Sequence, residues 1–318
     1  MSRKLKTAAA QLGPIHLADS RPRVVARLIE LLREAASGGC RLVVFPELAL
    51  TTFFPRYWYD DLGEADRFFE REMPGPETRP LFEEAARLGV GFCLGYAELI
   101  EEGGRTRHFN TSILVDQSGR VAGKYRKVHL PGHAEHRPNI PFQHLEKRYF
   151  EVGDLGFPVW RTMGGIMGMA ICNDRRWPET FRVMGLQGVE MVMIGYNTPT
   201  YNIYHAEPPH LRTLHNQLSL QAGAYQNGTW VVGVAKGGAE DGFDMIAGSL
   251  ICAPTGEIVS QALTNEDEVI QYDCDLDLGD YIKTTVFNFE KHRRPEHYRR
   301  IVEQTGVVPP AALPGEGE

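Results

Sequence analysis

The sequence has no long hydrophobic run and no excess of positive charge. No apolar stretch approaches the roughly 20 residues that a membrane-spanning helix needs, so we expect no membrane association. The 34 Lys and Arg residues stand against 41 Asp and Glu residues, a formal net charge of −7. This acidic balance argues against a nucleic-acid partner, because such proteins usually present a basic surface. The composition instead favours a globular protein that acts on a small molecule.

Cysteines are also few, and they are too scattered for a disulfide framework or a zinc ribbon. The five residues are an odd number without a CxxC pair, which is typical of a reduced chain. The basic start Arg3–Lys6 leads into an apolar run too short for a signal peptide. We therefore expect a cytoplasmic protein in which one of the cysteines can serve as a nucleophile.

Short runs rich in Val, Ile and Leu alternate with helical patterns, which predicts an α/β fold made of βαβ units. The predicted strands cover residues 5–12, 42–45, 90–94, 112–115, 121–125, 165–171, 191–194, 230–234, 249–253 and 258–261. The predicted helices cover residues 22–36, 77–88, 179–186 and 210–225. Residues 129–151 are rich in Pro and His without periodicity, which predicts a long functional loop.

The two predicted hairpins resemble each other. Thr111–Gly119 aligns with Gly248–Gly256 with Ser and Gly in register, and a strand ends at Pro46-Glu47 in one half and at Tyr196-Asn197 in the other. We interpret this as a weak internal duplication, which predicts two similar sheets packed in one domain. Chance similarity between βαβ units is the alternative.

Cys172 is the sharpest local feature of the sequence. It ends the apolar run Gly168–Ile171, and polar residues then open a helix near Pro178. A thiol at this strand end would face backbone N–H groups that can form an oxyanion hole and lower its pKa. The alternative is an inert, buried small residue, which is the usual state of a free cysteine.

A thiol nucleophile needs a base, and two charged residues stand where strands end. Glu47 follows the apolar strand Leu42–Phe45, at the carboxyl end where α/β sheets usually bind ligands. Lys127 ends a strand of the first predicted hairpin. The alternatives are a capping or solvent-facing Glu and a surface cation on an edge strand.

These three segments together resemble the catalytic motifs of the nitrilase superfamily of carbon–nitrogen hydrolases. Glu47 in Val-Val-Phe-Pro-Glu-Leu, Lys127 in Tyr-Arg-Lys-Val-His-Leu and Cys172 in Ala-Ile-Cys-Asn-Asp occur in the family's order. The resemblance runs from about Lys6 to Asp277 and implies a four-layer α-β-β-α sandwich. Within the superfamily, residues 172–185 are similar to the N-carbamoyl-D-amino acid amidohydrolases. Further segments also match that group, namely His129, His144–Lys147, Gly195–Thr198 and His215-Asn216.

The resemblance implies a hydrolysis of N-carbamoyl-D-amino acids without a cofactor or metal. Glu47 would act as the base and Cys172 as the nucleophile, while Lys127 and the N–H of Asn173 would stabilise the oxyanion. Glu146 matches a second family carboxylate that would orient Lys127 and the substrate. His129, His144 and His215 match residues that support the site by hydrogen bonding.

Two arginines beside the nucleophile point to an anionic substrate. Arg175 and Arg176 would be costly there without a negative partner, and a guanidinium suits a carboxylate. Asn197 and Thr198 could add hydrogen bonds to that carboxylate. The alternative is that the arginines pair with Asp174, Glu179 or another acid. A β-ureidopropionase, an L-carbamoylase or an amidase is the alternative function within the superfamily.

Two different classes of protein remain as alternatives. The histidines at positions 129, 133, 136 and 144 invite a zinc-hydrolase hypothesis, although the spacing lacks an HExxH motif. A catalytically inactive relative that serves as a scaffold is the other, although all three reactive positions are filled. The resemblance also implies a homodimer or homotetramer. Residues 1–280 are predicted to form the hydrolase domain, and 281–318 a helical segment and tail that pack on a partner copy.

Overall fold

The computed structural model describes residues 2–313, whose strands and helices alternate along most of the chain. The strands are β1 (Lys4–Gln11), β2 (Leu42–Val44), β3 (Phe69–Glu70), β4 (Gly91–Glu102), β5 (Arg105–Val115), β6 (Val121–Arg126), β7 (Val159–Thr162), β8 (Gly165–Ile171), β9 (Met191–Tyr196), β10 (Trp230–Ala235), β11 (Gly237–Glu240), β12 (Phe243–Ile246), β13 (Leu250–Cys252), β14 (Ile258–Gln261) and β15 (Glu268–Asp275). The α-helices are α1 (Arg21–Ser37), α2 (Arg79–Leu88), α3 (Glu146–Tyr149), α4 (Pro178–Gly185), α5 (Pro209–Asn227), α6 (Asp280–Thr284), α7 (Phe289–His292) and α8 (Arg299–Glu303). Short 3₁₀ turns cover Phe54–Arg56, Leu62–Phe68, Cys172–Arg176 and Pro295–His297.

Two large sheets repeat the same strand order. The first runs β15-β1-β2-β4-β5-β6, with β3 added beside β4, and the second runs β7-β8-β9-β10-β13-β14. In each sheet three parallel strands are followed by an antiparallel hairpin and preceded by one antiparallel edge strand. The repeat predicted from the two hairpins is therefore present in the topology, with β2 equivalent to β9 and β5–β6 equivalent to β13–β14.

The sheets pack face to face and helices cover their outer faces. Successive residues of a strand point to opposite faces: Val43 packs into the cluster that includes α1 and α2, whereas Leu42 and Val44 pack toward the second sheet. On the other side, Phe181 of α4 and Leu220 of α5 cover the second sheet. This layering confirms the predicted α-β-β-α sandwich.

The predicted elements agree with the observed ones to within a few residues, but several strands were missed. The omissions are β3, β7, β15 and the small hairpin β11–β12. Two of them, β7 and β15, are edge strands whose exposed faces carry polar side chains, so their hydrophobic pattern is weak. Strands β4 and β5 also extend further than predicted, through buried stretches that contain polar residues such as Glu98 and Asn110 and then into exposed ends.

Residues 129–151 form the irregular connection that the sequence predicts, apart from the single turn α3. In the C-terminal segment, helix α6 buries Ile282, and the Lys283 ammonium donates to the carbonyl of Val189 at 2.7 Å. The division at residue 280 and the packing on a partner copy stay predictions, and residues 314–318 of the predicted tail lie outside the described residues. Across residues 2–313, no helix is long and apolar enough to span a membrane.

Candidate active site

Glu47 lies in the turn that follows β2 and is fully buried between the two sheets. Its Oε1 accepts hydrogen bonds from Asn110 Nδ2 (2.7 Å) and Lys127 Nζ (2.8 Å), and its Oε2 accepts one from the backbone N of Asn197 (2.9 Å). Asn197 Nδ2 also donates to the Glu47 carbonyl at 2.9 Å. Both sheets therefore fix the position of this carboxylate.

Two glycines make room for the turn that carries Glu47. A Cβ atom on Gly195 would stand 2.3 Å from the backbone N of Glu47, and one on Gly95 would stand 2.7 Å from its Cα. Separations this short are steric clashes, so a larger residue at either position would displace the turn. The close approach of the two sheets at Glu47 therefore depends on glycine, which has no side chain, at positions 95 and 195.

Lys127 follows β6 and lies between two carboxylates. Its Nζ contacts Glu47 Oε1 at 2.8 Å and Glu146 Oε2 at 2.5 Å, and all three side chains are buried. Glu146 opens the turn α3, and its Oε1 lies 3.2 Å from His144 Nε2. The long irregular connection thus returns to the site and supplies a second carboxylate.

Cys172 stands where β8 passes into a 3₁₀ turn. Its φ of 47° lies in the left-handed region that a non-glycine residue rarely adopts, which is a local strain often found at functional sites. The Sγ atom lies 3.8 Å from the carbonyl oxygen of Asn197, the residue that holds Glu47. The first N–H groups of a helical turn have no partner within it, so Asn173 is placed to offer its N–H to an oxyanion.

Asp174 is the buried anchor of this turn. Its Oδ2 accepts from the Tyr125 hydroxyl (2.7 Å) and the backbone N of Ile171 (3.0 Å). Its Oδ1 accepts from the backbone N of His129 (2.9 Å) and lies 2.8 Å from His129 Nδ1. The His129 ring stacks on Trp177 with centroids 4.8 Å apart. His129 therefore supports, through Asp174, the turn that carries Cys172.

The charges at the site favour a neutral thiol beside a paired ammonium. Burial and the negative charge of Glu47 raise the pKa of Cys172, and Lys127 opposes this only in part. Burial lowers the pKa of Lys127, but Glu146 and Glu47 outweigh it and the pKa is raised. Burial raises the pKa of Glu146, but Lys127 and His144 outweigh it and the pKa is lowered. Nucleophilic attack by Cys172 would then require a base. Glu47 is the candidate, because its charge acts on the thiol more strongly than that of Glu146.

A cleft of about 240 Å³ gives access to Cys172. Its wall combines aromatic, apolar and cationic side chains, the mixture typical of a small-molecule site. The residues that line it are Pro131, Phe142, His144, Cys172, Asn173, Arg176, Asn197, Thr198, Pro199, Tyr201, Asn202, Ile203, Tyr204 and Arg212.

The two arginines predicted to bind a carboxylate have different surroundings. Arg175 is buried and donates to the Cys172 carbonyl (2.5 Å), Asn216 Oδ1 (2.7 Å) and Thr198 Oγ1 (2.9 Å). Its guanidinium also lies over the Tyr196 ring at 4.5 Å. This arrangement corrects the expectation that both arginines face the substrate, because the donors of Arg175 are used within the protein.

Arg176, by contrast, lines the cleft beside Cys172. Among residues 2–313, no carboxylate lies within 4.0 Å of its guanidinium and no hydrogen bond to it is formed. Its partial desolvation and the charges of Arg175 and Arg212 lower its pKa to about 10. Because Arg176 is exposed and its guanidinium donors have no partner among the described residues, it can bind an anionic ligand.

The remaining predicted residues divide in the same way. Asn197, Thr198 and His144 line the cleft, although the Thr198 hydroxyl is already bound by Arg175. His215 lies on α5 outside the lining, and its ring forms no hydrogen bond within the part of the chain that the structure describes. No hydrogen bond of the described residues therefore supports the role predicted for His215.

The sequence did not identify three residues that belong to the site. Asn110 binds Glu47, Asp174 fixes the turn at Cys172, and Arg212 lines the cleft. A signal existed for Asn110, because the polar run Asn110–Ser112 interrupts a buried strand. Asp174 stands two residues after the nucleophile but was considered only as a partner for the arginines. No sequence pattern indicated Arg212, because it lies on α5, 40 residues after Cys172, and reaches the cleft only in the folded chain.

The histidines of the irregular connection do not form a metal centre in the described part of the chain. Over residues 2–313, no group of three or more His, Cys, Asp or Glu side chains has the arrangement of a metal site. His133 Nδ1 instead contacts the carbonyl of Glu135 at 2.8 Å, and His136 stacks on Trp58 with ring centroids 4.6 Å apart.

A buried carboxylate, ammonium and thiol at the junction of two α/β sheets are the groups of a cysteine-dependent hydrolase. Residues 6–283 match the Carbon-nitrogen hydrolase family, and the chain belongs to that family. It is 30% identical to the nitrilase of Pyrococcus abyssi, over 93% of this chain and 100% of that protein. It is 29% identical to the N-carbamoylputrescine amidase of Arabidopsis thaliana, over 89% of this chain and 91% of that protein.

The solved structures support the same fold. The carbon-nitrogen hydrolase of Helicobacter pylori G27 superposes with a TM-score of 0.81, covering 95% of this chain and 99% of that one at 21% identity. The chain is thus a hydrolase of carbon–nitrogen bonds, and the similarity to these proteins leaves its substrate to be inferred from the cleft.

Proposed function

We propose that the chain hydrolyses N-carbamoyl-D-amino acids to the D-amino acid, ammonia and carbon dioxide. The observation that carries the proposal is the Arg176 guanidinium, which shares the cleft with Cys172 and has no carboxylate partner among residues 2–313. Such a cation favours a substrate with a carboxylate near the bond to be cleaved. A nitrile or a simple aliphatic amide carries no such charge.

The proposed reaction uses the residues in fixed roles. Glu47 takes the proton of Cys172 while Sγ attacks the ureido carbonyl carbon, and the Lys127 ammonium and the Asn173 N–H stabilise the oxyanion. Glu47 then gives the proton to the departing ammonia, which leaves a thiocarbamate on Cys172. Water, activated by Glu47, cleaves the thiocarbamate, and the released carbamic acid decomposes to the amino acid and carbon dioxide.

Asn197 provides a second argument for a ureido or amide substrate. Its Nδ2 is bound to the Glu47 carbonyl, whereas its buried Oδ1 has no hydrogen-bond partner within the described residues. A buried acceptor without a donor is costly. Because Asn197 lines the cleft, an N–H group of a bound ureido or amide substrate is a suitable donor.

The D configuration is supported by the similarity of residues 172–185 to N-carbamoyl-D-amino acid amidohydrolases, and by no feature of the cleft. The alternative is another ureido or amide hydrolase: a β-ureidopropionase, an L-carbamoylase or an amidase. An N-carbamoylputrescine-like substrate ends in an amine instead of a carboxylate. The described lining residues carry two guanidinium groups and no carboxylate, and the adjacent Glu207 offsets only one of these charges, which disfavours such a cation.

Ammonia release tests this proposal. The assay compares N-carbamoyl-D-phenylalanine, N-carbamoyl-L-phenylalanine, N-carbamoyl-β-alanine and N-carbamoylputrescine, each with and without a chelator. Chelator-resistant release from the D-compound alone is the expected result. Release from the L-compound would overturn the stereochemical assignment, and a preference for N-carbamoylputrescine would overturn the carboxylate argument. Sensitivity to the chelator would favour a metal hydrolase.

The proposal extends to a cytoplasmic homodimer or homotetramer. All five cysteines are free and buried, which fits a reducing compartment. An apolar cleft of about 800 Å³ lies between α4 and the C-terminal segment, where Val183, Leu186, Ile301 and Val302 are exposed. A second copy is expected to cover this surface. A sedimentation mass near the 35.7 kDa of one chain would contradict the oligomer.

A further inference from the structure

Arg212 brings a second positive charge to the cleft from outside the nucleophile segment. It lies in the first turn of α5 and is half-buried. Its side chain lines the same cleft as Arg176 and Cys172. The sequence argument for a carboxylate site used Arg175 and Arg176. Since Arg175 is bound within the protein, the second arginine in the cleft is Arg212.

The contacts of Arg212 within the protein are long. Its Nε lies 3.3 Å from the carbonyl of Pro199, and its Nη1 lies 3.4 Å from Glu207 Oε1. Both distances exceed the usual range for a charge-assisted hydrogen bond, about 2.7–2.9 Å. Nη2 forms no hydrogen bond with any residue from 2 to 313. The guanidinium is therefore held in place but keeps donor capacity.

The charge balance of the cleft also leaves room for an anion. Glu207 is not among the lining residues, but it lies 3.4 Å from Arg212 Nη1 and accepts from Asn202 Nδ2 at 3.1 Å. It therefore offsets one of the two guanidinium charges. Burial lowers the pKa of Arg212 although Glu207 opposes this, and the charge of Arg212 contributes to the lowered pKa of Arg176. A bound carboxylate would relieve this repulsion between like charges.

We propose that Arg212, together with Arg176, holds the carboxylate of the substrate and is a specificity-determining residue of the cleft. This inference rests on the proposed function, since it assigns a ligand to the carboxylate of that substrate. The group that the two arginines bind is a carboxylate, and we assign it as the α-carboxylate that every N-carbamoyl-D-amino acid carries. A side-chain carboxylate is the competing source.

The kinetic test compares two ureas that differ mainly in the carboxylate. N-carbamoyl-D-phenylalanine carries it, and 2-phenylethylurea lacks it. Arg212→Met is expected to raise KM for the first compound about 10- to 100-fold, the range for losing a hydrogen bond between charged groups, with a smaller change in kcat. The KM for 2-phenylethylurea should stay unchanged, and Arg212→Lys should recover part of the loss.

Arg23→Met is the matched control, because it removes the same charge from an exposed position on α1. It should leave both KM values unchanged. Equal losses of Arg212→Met on the two ureas would mean that Arg212 only shapes the loop 199–207, and no loss on either would mean that it does not bind substrate; both results would overturn the proposal. N-carbamoyl-D-glutamate, which has a second carboxylate in its side chain, is assayed as a third substrate. A loss confined to this compound would assign Arg212 to the side-chain carboxylate and overturn the α-carboxylate assignment.

A binding measurement separates this inference from the proposed function. Calorimetry with N-carbamoyl-D-phenylalanine on Cys172→Ala and on Cys172→Ala/Arg212→Met should show a Kd weakened by the same factor as KM. If the wild-type protein turns over no N-carbamoyl amino acid but this weakening is observed, the proposed function fails and the carboxylate site stands. If turnover is observed and the two Kd values agree, only the assignment of Arg212 fails.

Discussion

The two sheets share one strand order but carry different groups at equivalent strand ends. In the first sheet, β1 ends at Gln11, whose amide binds the Thr264 carbonyl and the backbone N of Ser249. The equivalent strand β8 leads to Cys172. Strand β2 leads to Glu47, whereas the equivalent β9 leads to Asn197. The comparison shows that one scaffold places the proposed base in one half and the proposed nucleophile in the other.

The meeting of the two halves at Glu47 is what makes the site. The carboxyl end of β2 lies against that of β9, and the glycines at positions 95 and 195 allow the backbones to approach. Asn197 then links the halves, because its backbone N holds Glu47 and its carbonyl lies beside the Cys172 thiol. Each half alone would lack either the proposed base or the proposed nucleophile.

The largest expected effect comes from removing the nucleophile of the second half. Cys172→Ala should lower kcat by at least about 10⁴-fold, since loss of a catalytic nucleophile has effects of this size or greater. Cys252→Ala is the matched control, because Cys252 is equally buried in the same sheet, on β13, and does not line the cleft. It should retain turnover within a few-fold. Activity retained by Cys172→Ala, with an unchanged unfolding curve, would reject the assignment.

Removing the cation of the first half should lower stability as well as turnover, because Lys127 both pairs with two buried carboxylates and is proposed to stabilise the oxyanion. Lys127→Met leaves Glu47 and Glu146 as buried carboxylates without their ammonium partner, which should cost about 3–5 kcal/mol in the free energy of unfolding at pH 7. Urea denaturation measures this loss. Lys124→Met, on β6 with a side chain 39% exposed beside Glu98, should cost about 1 kcal/mol or less.

The pH dependence of that loss has a definite sign. Because the pKa of Glu146 is lowered in the folded protein, its ion pair contributes stability above the unfolded carboxyl pKa of about 4.3. This contribution disappears as the pH falls through the lowered pKa. The difference between wild type and Lys127→Met should therefore narrow in acid, and a constant difference from neutral pH to strong acid would contradict the ion-pair account.

The two adjacent arginines should have separable effects. Arg176→Met should raise KM for a carboxylate-bearing substrate about 10- to 100-fold, with unchanged unfolding. Arg175→Met should lower the free energy of unfolding, by about 1–3 kcal/mol for the partners left unsatisfied, and reduce kcat because Cys172 loses a restraint. Enzyme kinetics and denaturation measured on both variants test this distinction. The same changes in KM and in the free energy of unfolding for both variants would contradict the distinction between Arg175 and Arg176.

The smallest effect is a shift in the reactivity of Cys172 with pH. Since burial and Glu47 raise the pKa of the thiol, alkylation by iodoacetamide should reach half its maximal rate above about pH 8.5, the ordinary thiol value. Glu47→Gln should move this midpoint to lower pH, because it removes a negative charge. Lys127→Met should move it to higher pH. A wild-type midpoint below pH 7 would indicate a preformed thiolate instead.

The sequence was sufficient to predict the layers, the repeat and the residues that meet at the strand ends, whose catalytic roles stay predictions. Parallel strands rich in Val and Ile stand out, and a Glu or Cys directly after such a strand is conspicuous. The edge strands β7 and β15 were missed because one face of each is solvated. The predicted nucleophile segment proved to contain both a structural and a cleft-lining arginine, a distinction that depends on side-chain direction.

Long-range contacts account for the remaining omissions. Whether Arg175 points toward the cleft is decided by Asn216 and Thr198, which come from other elements. Arg212 reaches the cleft because the start of α5 lies beside the segment that follows β9, where its Nε contacts the Pro199 carbonyl. Neither contact leaves a periodic pattern or a motif in the chain, so composition and spacing carry no information about them.

The most direct test of the account is whether the base of the first half activates the nucleophile of the second. Acid-quenched mass spectrometry after mixing with N-carbamoyl-D-phenylalanine should find a thiocarbamate that retains the amino acid, located on the peptide containing Cys172. Glu47→Gln should form this adduct far more slowly, while remaining folded. Adduct formation at the wild-type rate in Glu47→Gln, or turnover through an adduct on another residue, would contradict the account.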